Sequence, residues 1–330
     1  MRAVWYDKED SPKPVLHVGE LPDIQPSYGE VRVKLHASGV IHGDTKPPGV
    51  WGGGPQLQWT KSVPGQDGSG LIDQVGEGVP TKRIGERVWV YEASGGRQYG
   101  TSADFTVVPS IQAVPLPDTA SFELGASLGV PAMTAHRALF SDGGIQGRNV
   151  FIAGGGGAVG AMALQLAKWA GARVITSVST QEQMTRALSL GADVAINRHE
   201  QDVVTKVLSE TDGVGVHRVI ELAFDENLPI NLQILANDGV LAHYGATQAS
   251  PPIPVYSLMS KGITLRFILV YAMSSVAHAD AVRDVTLILK QGKLQVHVAE
   301  RFRLEDLERA YALENSGKAD GKIVTQIIEP

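Results

Sequence analysis

Cysteine is absent from this 330-residue chain. Disulfides and every thiolate metal site are therefore excluded, and cysteine usage leaves the redox compartment open. A basic excess is absent too: 29 Lys and Arg face 35 Asp and Glu, for a net charge of −6. That leaves no electrostatic case for nucleic acid or an anionic membrane. No apolar run approaches the ~20 residues of a membrane-spanning helix. The opening MRAVWYDKED lacks the apolar core of a signal peptide. These absences lead us to expect a cytoplasmic protein whose partners include neither nucleic acid nor membrane.

What is present is a globular profile, 43% hydrophobic and 19% charged. The length exceeds one ordinary core, so two domains are expected. Up to about residue 120 the chain carries short strand-like pieces: Arg2–Tyr6, Glu30–Ser38, Gly70–Val75 and Arg87–Tyr91. Gly52-Gly53-Gly54-Pro55 and Val63-Pro64-Gly65 punctuate them. Polar and apolar residues alternate from Glu30 to Leu35, as in a half-buried strand. An irregular β-barrel is expected here. From about Ser121 helices and strands alternate: helices at Glu123–Val130, Ala132–Phe140, 160–170, 181–190 and Leu228–Leu235; strands at 149–153, 173–178, Val194–Asn197, Arg218–Leu222, Gly239–Tyr244 and Ile263–Val270. That alternation implies a doubly wound α/β domain on a parallel sheet. The tail predicts helices at Ala279–Gln291 and Leu304–Asn315, with strands near Val298–Phe302 and Lys322–Ile328.

The densest signal is Phe151-Ile152-Ala153-Gly154-Gly155-Gly156-Gly157-Ala158-Val159-Gly160: a buried strand, a glycine turn and a helix start. Gly155, Gly157 and Gly160 fit G-x-G-x-x-G. We expect Gly155 to allow the tight turn, Gly157 to let backbone approach a pyrophosphate, and Gly160 to let helix pack on strand. Ala158 and Val159 would add their N–H groups at the positive helix end. The bland alternative is a glycine-rich structural turn.

Several further patterns keep the same order along the chain: Gly39-Val40-x-x-x-Asp44, Pro64-Gly65-x-Asp67-x-x-Gly70, Gly85-Glu86-Arg87-Val88, Pro131-x-x-Thr134-Ala135, Leu190-Gly191-Ala192-Asp193, Tyr244-Gly245 and Gly321-Lys322-Ile323-Val324. With the fingerprint loop they resemble the medium-chain dehydrogenase/reductase superfamily, and within it the zinc-free quinone oxidoreductases of zeta-crystallin type. The resemblance implies a GroES-like β-barrel catalytic domain (1–125, completed by 272–330) and a Rossmann domain (126–271). It also implies an active site in the cleft between them and a homodimer or homotetramer.

Zinc-dependent members of that superfamily hold catalytic zinc through Cys, His and Cys, with a Glu beside the His. Ile41, Gln66 and Ala132 or Met133 fall at the ligand positions here, and Asp67 at the Glu. Ile and Ala cannot ligate a metal and Gln is a poor zinc ligand. His17, His36, His42 and His136 lack ligand spacing. We therefore expect no metal. Without a Lewis acid the acceptor must already be electrophilic, a quinone or a conjugated enone.

The cofactor expected is NADP(H). NAD-selective relatives end the second Rossmann strand on an acid; Val178 stands there, followed by the donors Ser179 and Thr180. The resemblance sets Arg198 where similar reductases often carry a Tyr near the adenosine phosphate, with Arg186 or Lys318 as helpers; its alternative is a solvated surface charge. The resemblance sets Thr134 beside the nicotinamide. Tyr244 and Gly245 end a strand at the sheet's carboxyl edge, where ligands bind. Phe267, Leu269 and Tyr271 either line the nicotinamide pocket or belong to the core. The catalytic candidates are His42 as a proton relay, Asp44 (or a plain turn cap) and Lys46, which replaces a Tyr of related reductases. Trp51 and Trp59 either stack on a flat substrate or anchor their loop. The expected activity is NADPH:quinone oxidoreduction. The alternatives are an enone or enoyl reductase, or a non-catalytic NADPH-binding or RNA-interacting protein.

Overall fold

The computed structural model describes residues 1–10, 15–46 and 57–328; Trp51 and the glycines that follow it lie outside this set. Two compact units emerge, Met1–Val130 with Leu289–Pro330, and Pro131–Ile288. Among the described residues no helix is long and apolar enough to cross a membrane.

The first unit opens with β1 (Arg2–Asp7) antiparallel to β2 (Leu16–Glu20). Strand β3 (Glu30–Gly39) is central, and the short β4 (Lys61–Ser62) closes on β1. Next come β5 (Asp67–Val75), β6 (Arg87–Val90), β7 (Phe105–Pro109) and β8 (Ala113–Pro115). The alternation expected in β3 holds only in part. Val31, Val33 and Leu35 are fully buried and pack with Ile72, Val88 and Val90, but Arg32 between them is buried too, its guanidinium paired with Asp73 at 2.6 Å. Ser121 caps the short α1 (Phe122–Gly125) by accepting from Leu124 N. Helix α2 (Gly129–Phe140) starts earlier than the expected Ala132. Both carboxylate oxygens of Asp67 accept from Val130 N, at 2.9 Å each, and so stabilise an extra N-terminal turn.

The second unit alternates β9 (Asn149–Ile152), α3 (Ala158–Trp169), β10 (Arg173–Val178), α4 (Gln181–Ser189), β11 (Val194–Asn197), α5 (Val203–Ser209), β12 (Val216–Glu221), α6 (Phe224–Ile234), β13 (Leu235–His243), α7 (Val255–Ser260), β14 (Thr264–Phe267) and α8 (Ser275–Lys290). The sheet order is β11-β10-β9-β12-β13-β14, all parallel. The order reverses between β9 and β12, the switch point where doubly wound sheets bind ligands outside their carboxyl ends. Phe151, Ile175, Ile196, Val219 and Leu241 fill the core against Phe224 and Leu228. Helices α5 and α7 add elements that the sequence reading missed. The strand expected at Ile263–Val270 is shorter. Its partner β13 stops at His243, whose carbonyl still accepts from Ile268 N; beyond it Val270–Ala272 turn into a 3-10 helix.

The chain then returns to the first unit with β15 (Val298–Arg303), α9 (Leu307–Asn315) and β16 (Lys322–Gln326). Strand β16 pairs with β3 and completes the order β15-β16-β3-β5-β6-β8, with β7 also on β3.

Candidate cofactor and catalytic site

The glycine loop leaves β9 at the carboxyl edge of the second unit's sheet. The tight turn expected at Gly155 is made one residue earlier, at Gly154, which alone of the loop glycines has a positive φ, +69°. Gly155 is required for another reason, because a Cβ there would collide with Thr176 Oγ1. A Cβ at Gly160 would collide with the Gly154 carbonyl, so this glycine does seat helix on loop. Gly157 differs from both. A Cβ there would meet only Gly154 O, at 3.4 Å, an ordinary contact. The fold itself has room at Gly157.

The helix ends sharpen the contrast. Thr180 Oγ1 caps α4 by accepting from Gln183 N at 3.2 Å, and Asp202 Oδ1 caps α5 by accepting from Thr205 N at 2.7 Å. The Glu221 carboxylate accepts from Leu222 N and Ala223 N at the start of α6. Helix α3 has only Gly157 at its cap, with no side-chain hydrogen bond. Ala158, Val159 and Gly160 thus keep N–H groups with no intrahelical acceptor at the positive end of the helix dipole. Of the four helices that follow β9 to β12, α4 and α5 carry side-chain caps, α6 has the Glu221 carboxylate on the two amides just ahead of it, and α3 has neither.

At the end of β10, Val178 is 2% exposed, Ser179 is half-buried and Thr180 is exposed. Ser179 N donates to Gln183 Oε1 at 2.9 Å, and the Gln183 side chain lies against Gly156, 2.6 Å from where a Cβ there would sit. Gln183 therefore joins the glycine loop to the β10 end. The sequence reading missed it, although Thr180-x-x-Gln183 is a capping-box spacing that announces such a side chain. Arg198 is exposed, its N donates to Val178 O at 3.0 Å, and its guanidinium forms no ion pair among the described residues. Lys318 is exposed just after α9, in the first unit rather than in that of the loop.

Tyr244 N donates to Glu221 O, and Gly245 O accepts from Phe224 N, so both candidates sit at the carboxyl edge. Phe267 is 64% exposed and Leu269 62%, which answers the core alternative against core; Tyr271 is exposed as well. Phe267 meets His243 edge-on at 4.5 Å, and His243 stacks on Phe224 at 4.3 Å. Burial lowers the His243 pKa, favouring a neutral ring. Thr134 is buried on α2.

In the first unit His42, Asp44 and Thr45 form a 3-10 turn that leads to Lys46. His42 is exposed; the burial that remains and the Lys46 charge lower its pKa. Asp44 is 8% exposed and its Oδ2 has no partner. Burial, with Asp67 adding to it, pushes the Asp44 carboxyl up to about 8. Burial likewise pushes Asp67 to about 7, against the pull of Lys322. Lys322, itself buried, donates to Val40 O at 2.6 Å. This group of two carboxyls and one amine escaped the sequence reading, since Lys322 lies more than 250 residues from its companions. Both carboxyls hold protons in the folded state that the unfolded chain, with Asp near ~3.9, releases. Their contribution to stability is therefore full below about pH 4 and drains away as pH rises through 7 to 8. Urea denaturation between pH 5 and 8.5 should show that fall, and Asp44→Asn should flatten it; a variant slope equal to that of the parent would remove Asp44 as its source.

The positions that hold zinc in zinc-dependent dehydrogenases do not fit that metal here. Ile41 is buried and apolar, both Asp67 oxygens are committed to Val130 N, and Gln66 offers a single amide oxygen. His136 is tied to Asp284 at 2.9 Å, His17 to Asp10 at 2.7 Å, and His36 stacks on Phe122. Among the described residues no group of three or more His, Asp or Glu could hold a metal ion.

Comparison with known proteins bears on the two units in turn. The alcohol dehydrogenase GroES-like domain model matches residues 27–118, and the zinc-binding dehydrogenase model matches 158–285. A zinc-type alcohol dehydrogenase-like protein of Schizosaccharomyces pombe is 31% identical, with 91% of each chain covered. The quinone oxidoreductase of Rattus norvegicus is 28% identical, covering 98% of this chain and 97% of its own. This chain belongs to the medium-chain dehydrogenase/reductase superfamily and is quinone-oxidoreductase-like. Superfamily structures superpose along the whole length. An NAD-dependent alcohol dehydrogenase does so with a TM-score of 0.85 at 26% identity, covering 99% of this chain and 100% of that one. A mycobacterial protein complexed with NADPH gives 0.83 at 26%, with the same coverage. The first unit is thus GroES-like and the second Rossmann-like, and the activity class is oxidoreductase.

Proposed function

We propose that the chain is an NADPH-dependent, zinc-independent quinone oxidoreductase. The observation that carries this is the bare N-terminus of α3 beside Gly157, a phosphate cradle that the protein itself leaves unfilled. The quinone oxidoreductase relatives and the NADPH-bound mycobacterial structure support it. Bound NADPH would supply the hydride. This chain's residues do the rest. Ala158, Val159 and Gly160 hold the pyrophosphate through backbone N–H groups. Arg198, with Ser179 and Thr180, meets the adenosine 2′-phosphate. Thr134, Tyr244, Gly245, Phe267 and Leu269 border the nicotinamide. Hydride and one proton convert a quinone to a hydroquinone; the hydroquinone anion is delocalised, so His42 or water suffices as the proton source.

Turnover decides the substrate. Oxidation of NADPH by a simple benzoquinone, with little on an alkenal or enoyl thioester, is the expected pattern. The reverse preference would make the chain an enone reductase, and turnover of simple alcohols would overturn the reading.

Cofactor choice is tested at the exposed Arg198. Arg198→Ala should raise KM for NADPH about tenfold, the loss of one charge-assisted contact, and leave KM for NADH unchanged. Equal effects on both would return Arg198 to a solvated surface charge. Val178→Asp should shift preference toward NADH. Because Val178 is buried, its carboxylate also has to be desolvated, so a lower Tm is expected alongside. Unchanged selectivity would remove the strand-end explanation.

A further inference from the structure

We propose that Glu221 is the positioning residue that shapes the nucleotide edge, fixing the Leu222 turn against Gly154 and Gly245; this rests on the NADPH reading above. Glu221 ends β12 and is fully buried. Among the described residues its carboxylate forms no ion pair, and it gathers four N–H donors instead. Oε1 accepts from Leu222 N at 2.8 Å, Ala223 N at 2.7 Å and Asn227 Nδ2 at 2.9 Å; Oε2 accepts from Asn231 Nδ2 at 2.8 Å. Asn227 and Asn231 lie one turn apart on the same face of α6. One buried charge therefore closes the β12–α6 turn, occupies the positive end of α6, and grips that helix at two levels.

The gripped turn lies close to two glycines of the nucleotide edge. The Leu222 Cδ2 atom lies 2.6 Å from where a Cβ on Gly154 would sit, and a Cβ on Gly245 would collide with the Leu222 carbonyl. Gly154 makes the fingerprint turn, and Gly245 is the candidate at the β13 end. A shift of the Leu222 backbone therefore bears on Gly245, and it also moves a side chain that borders Gly154. The same carboxylate also keeps anions away from α6 and leaves α3 as the attractive helix end.

The hydrogen-bond inventory separates charge from geometry. In Glu221→Gln the new amide nitrogen faces the Asn231 amide nitrogen, donor against donor. Asn231 can turn its amide over, because its Oδ1 is buried without a partner. This variant keeps the side-chain length and should bind NADPH within about threefold of the parent. Glu221→Asp keeps the charge but withdraws it by one methylene, too far to serve all four donors. Its NADPH Kd and KM should rise about tenfold, the equivalent of one strong hydrogen bond lost, while kcat at saturating NADPH stays within about twofold.

The experiment is fluorescence titration of the full chain with NADPH, steady-state kinetics, and hydrogen exchange at the Leu222 and Ala223 amides. Faster exchange at those amides in Glu221→Asp, with a raised KM and an intact kcat, supports the proposal. Parental NADPH affinity in a folded Glu221→Asp overturns it, as does an equal loss of kcat in every variant. If Glu221→Asp does not fold, Asn227→Ala removes one donor from Oε1. A rise of about threefold in Kd is then expected, and an unchanged Kd overturns the proposal. A parent protein that binds no NADPH would sink the cofactor reading instead. Exchange at Leu222 and Ala223 would still decide whether Glu221 holds the turn: unaltered protection in the variants overturns it.

Discussion

Gly157→Val should yield a folded protein whose NADPH binding is weakened on the order of a hundredfold or more. The added Cβ has only the Gly154 carbonyl to meet, at 3.4 Å, and the backbone at Gly157, φ −82° and ψ 169°, lies in the extended region that Val favours. The structural cost is that of a poor helix cap, about 1 kcal/mol, or a Tm lower by about 2–4 °C. The functional cost is larger, because the isopropyl group fills the space through which the pyrophosphate reaches the Ala158 and Val159 N–H groups. Two charge-assisted hydrogen bonds lost amount to about 3 kcal/mol or more, on the order of a hundredfold in Kd. Gly160→Val is the control with the opposite logic. Its Cβ runs into the Gly154 carbonyl, so it should fail to fold before binding can be asked about. Titration with NADPH beside a thermal melt separates the two. Parental affinity in Gly157→Val would mean that the pyrophosphate lies elsewhere.

Lys322→Met should be the most damaging single change in the first unit. Lys322 is 3% exposed; its Nζ donates to Val40 O and is the cation facing the buried Asp67 and Asp44. Met matches the stem, so packing is largely kept and the loss is electrostatic. Removing one partner of a buried charged group typically costs about 3–5 kcal/mol. The loss should be smaller at pH 5 than at pH 8, since a protonated Asp67 needs no counter-charge. Urea midpoints at the two pH values measure it. A loss below about 1 kcal/mol at pH 8 would show that the two carboxyls stand without the lysine.

What the sequence disclosed and what it hid follow from the range of the forces involved. The glycine loop was legible because its requirements are local: a turn, a close approach and a helix start within ten residues. Even so the turn fell on Gly154 and not Gly155, since four glycines in a row satisfy the fingerprint in more than one register. The apolar positions of β3 and the βαβ rhythm were legible for the same reason, whereas the burial of Arg32 against Asp73 was not. Gln183 was readable in principle from its spacing to Thr180. Glu221, His243 and Lys322 were not. Nothing in a lone Glu at a strand end says that four N–H groups will converge on it, and nothing near Lys322 announces Asp67. Their roles arise from burial and from contacts brought together by folding. The burial of Val178, which changes what an Asp would cost there, is a property of packing alone.

The positive end of α3 is built from peptide groups, which neither titrate nor accept covalent modification. A pyrophosphate docked there would keep its anchoring at any acidity the fold survives. Tuning of the protein by protons must then act on how the reaction proceeds or how firmly the chain holds together, and not on whether the dinucleotide's central phosphates are gripped.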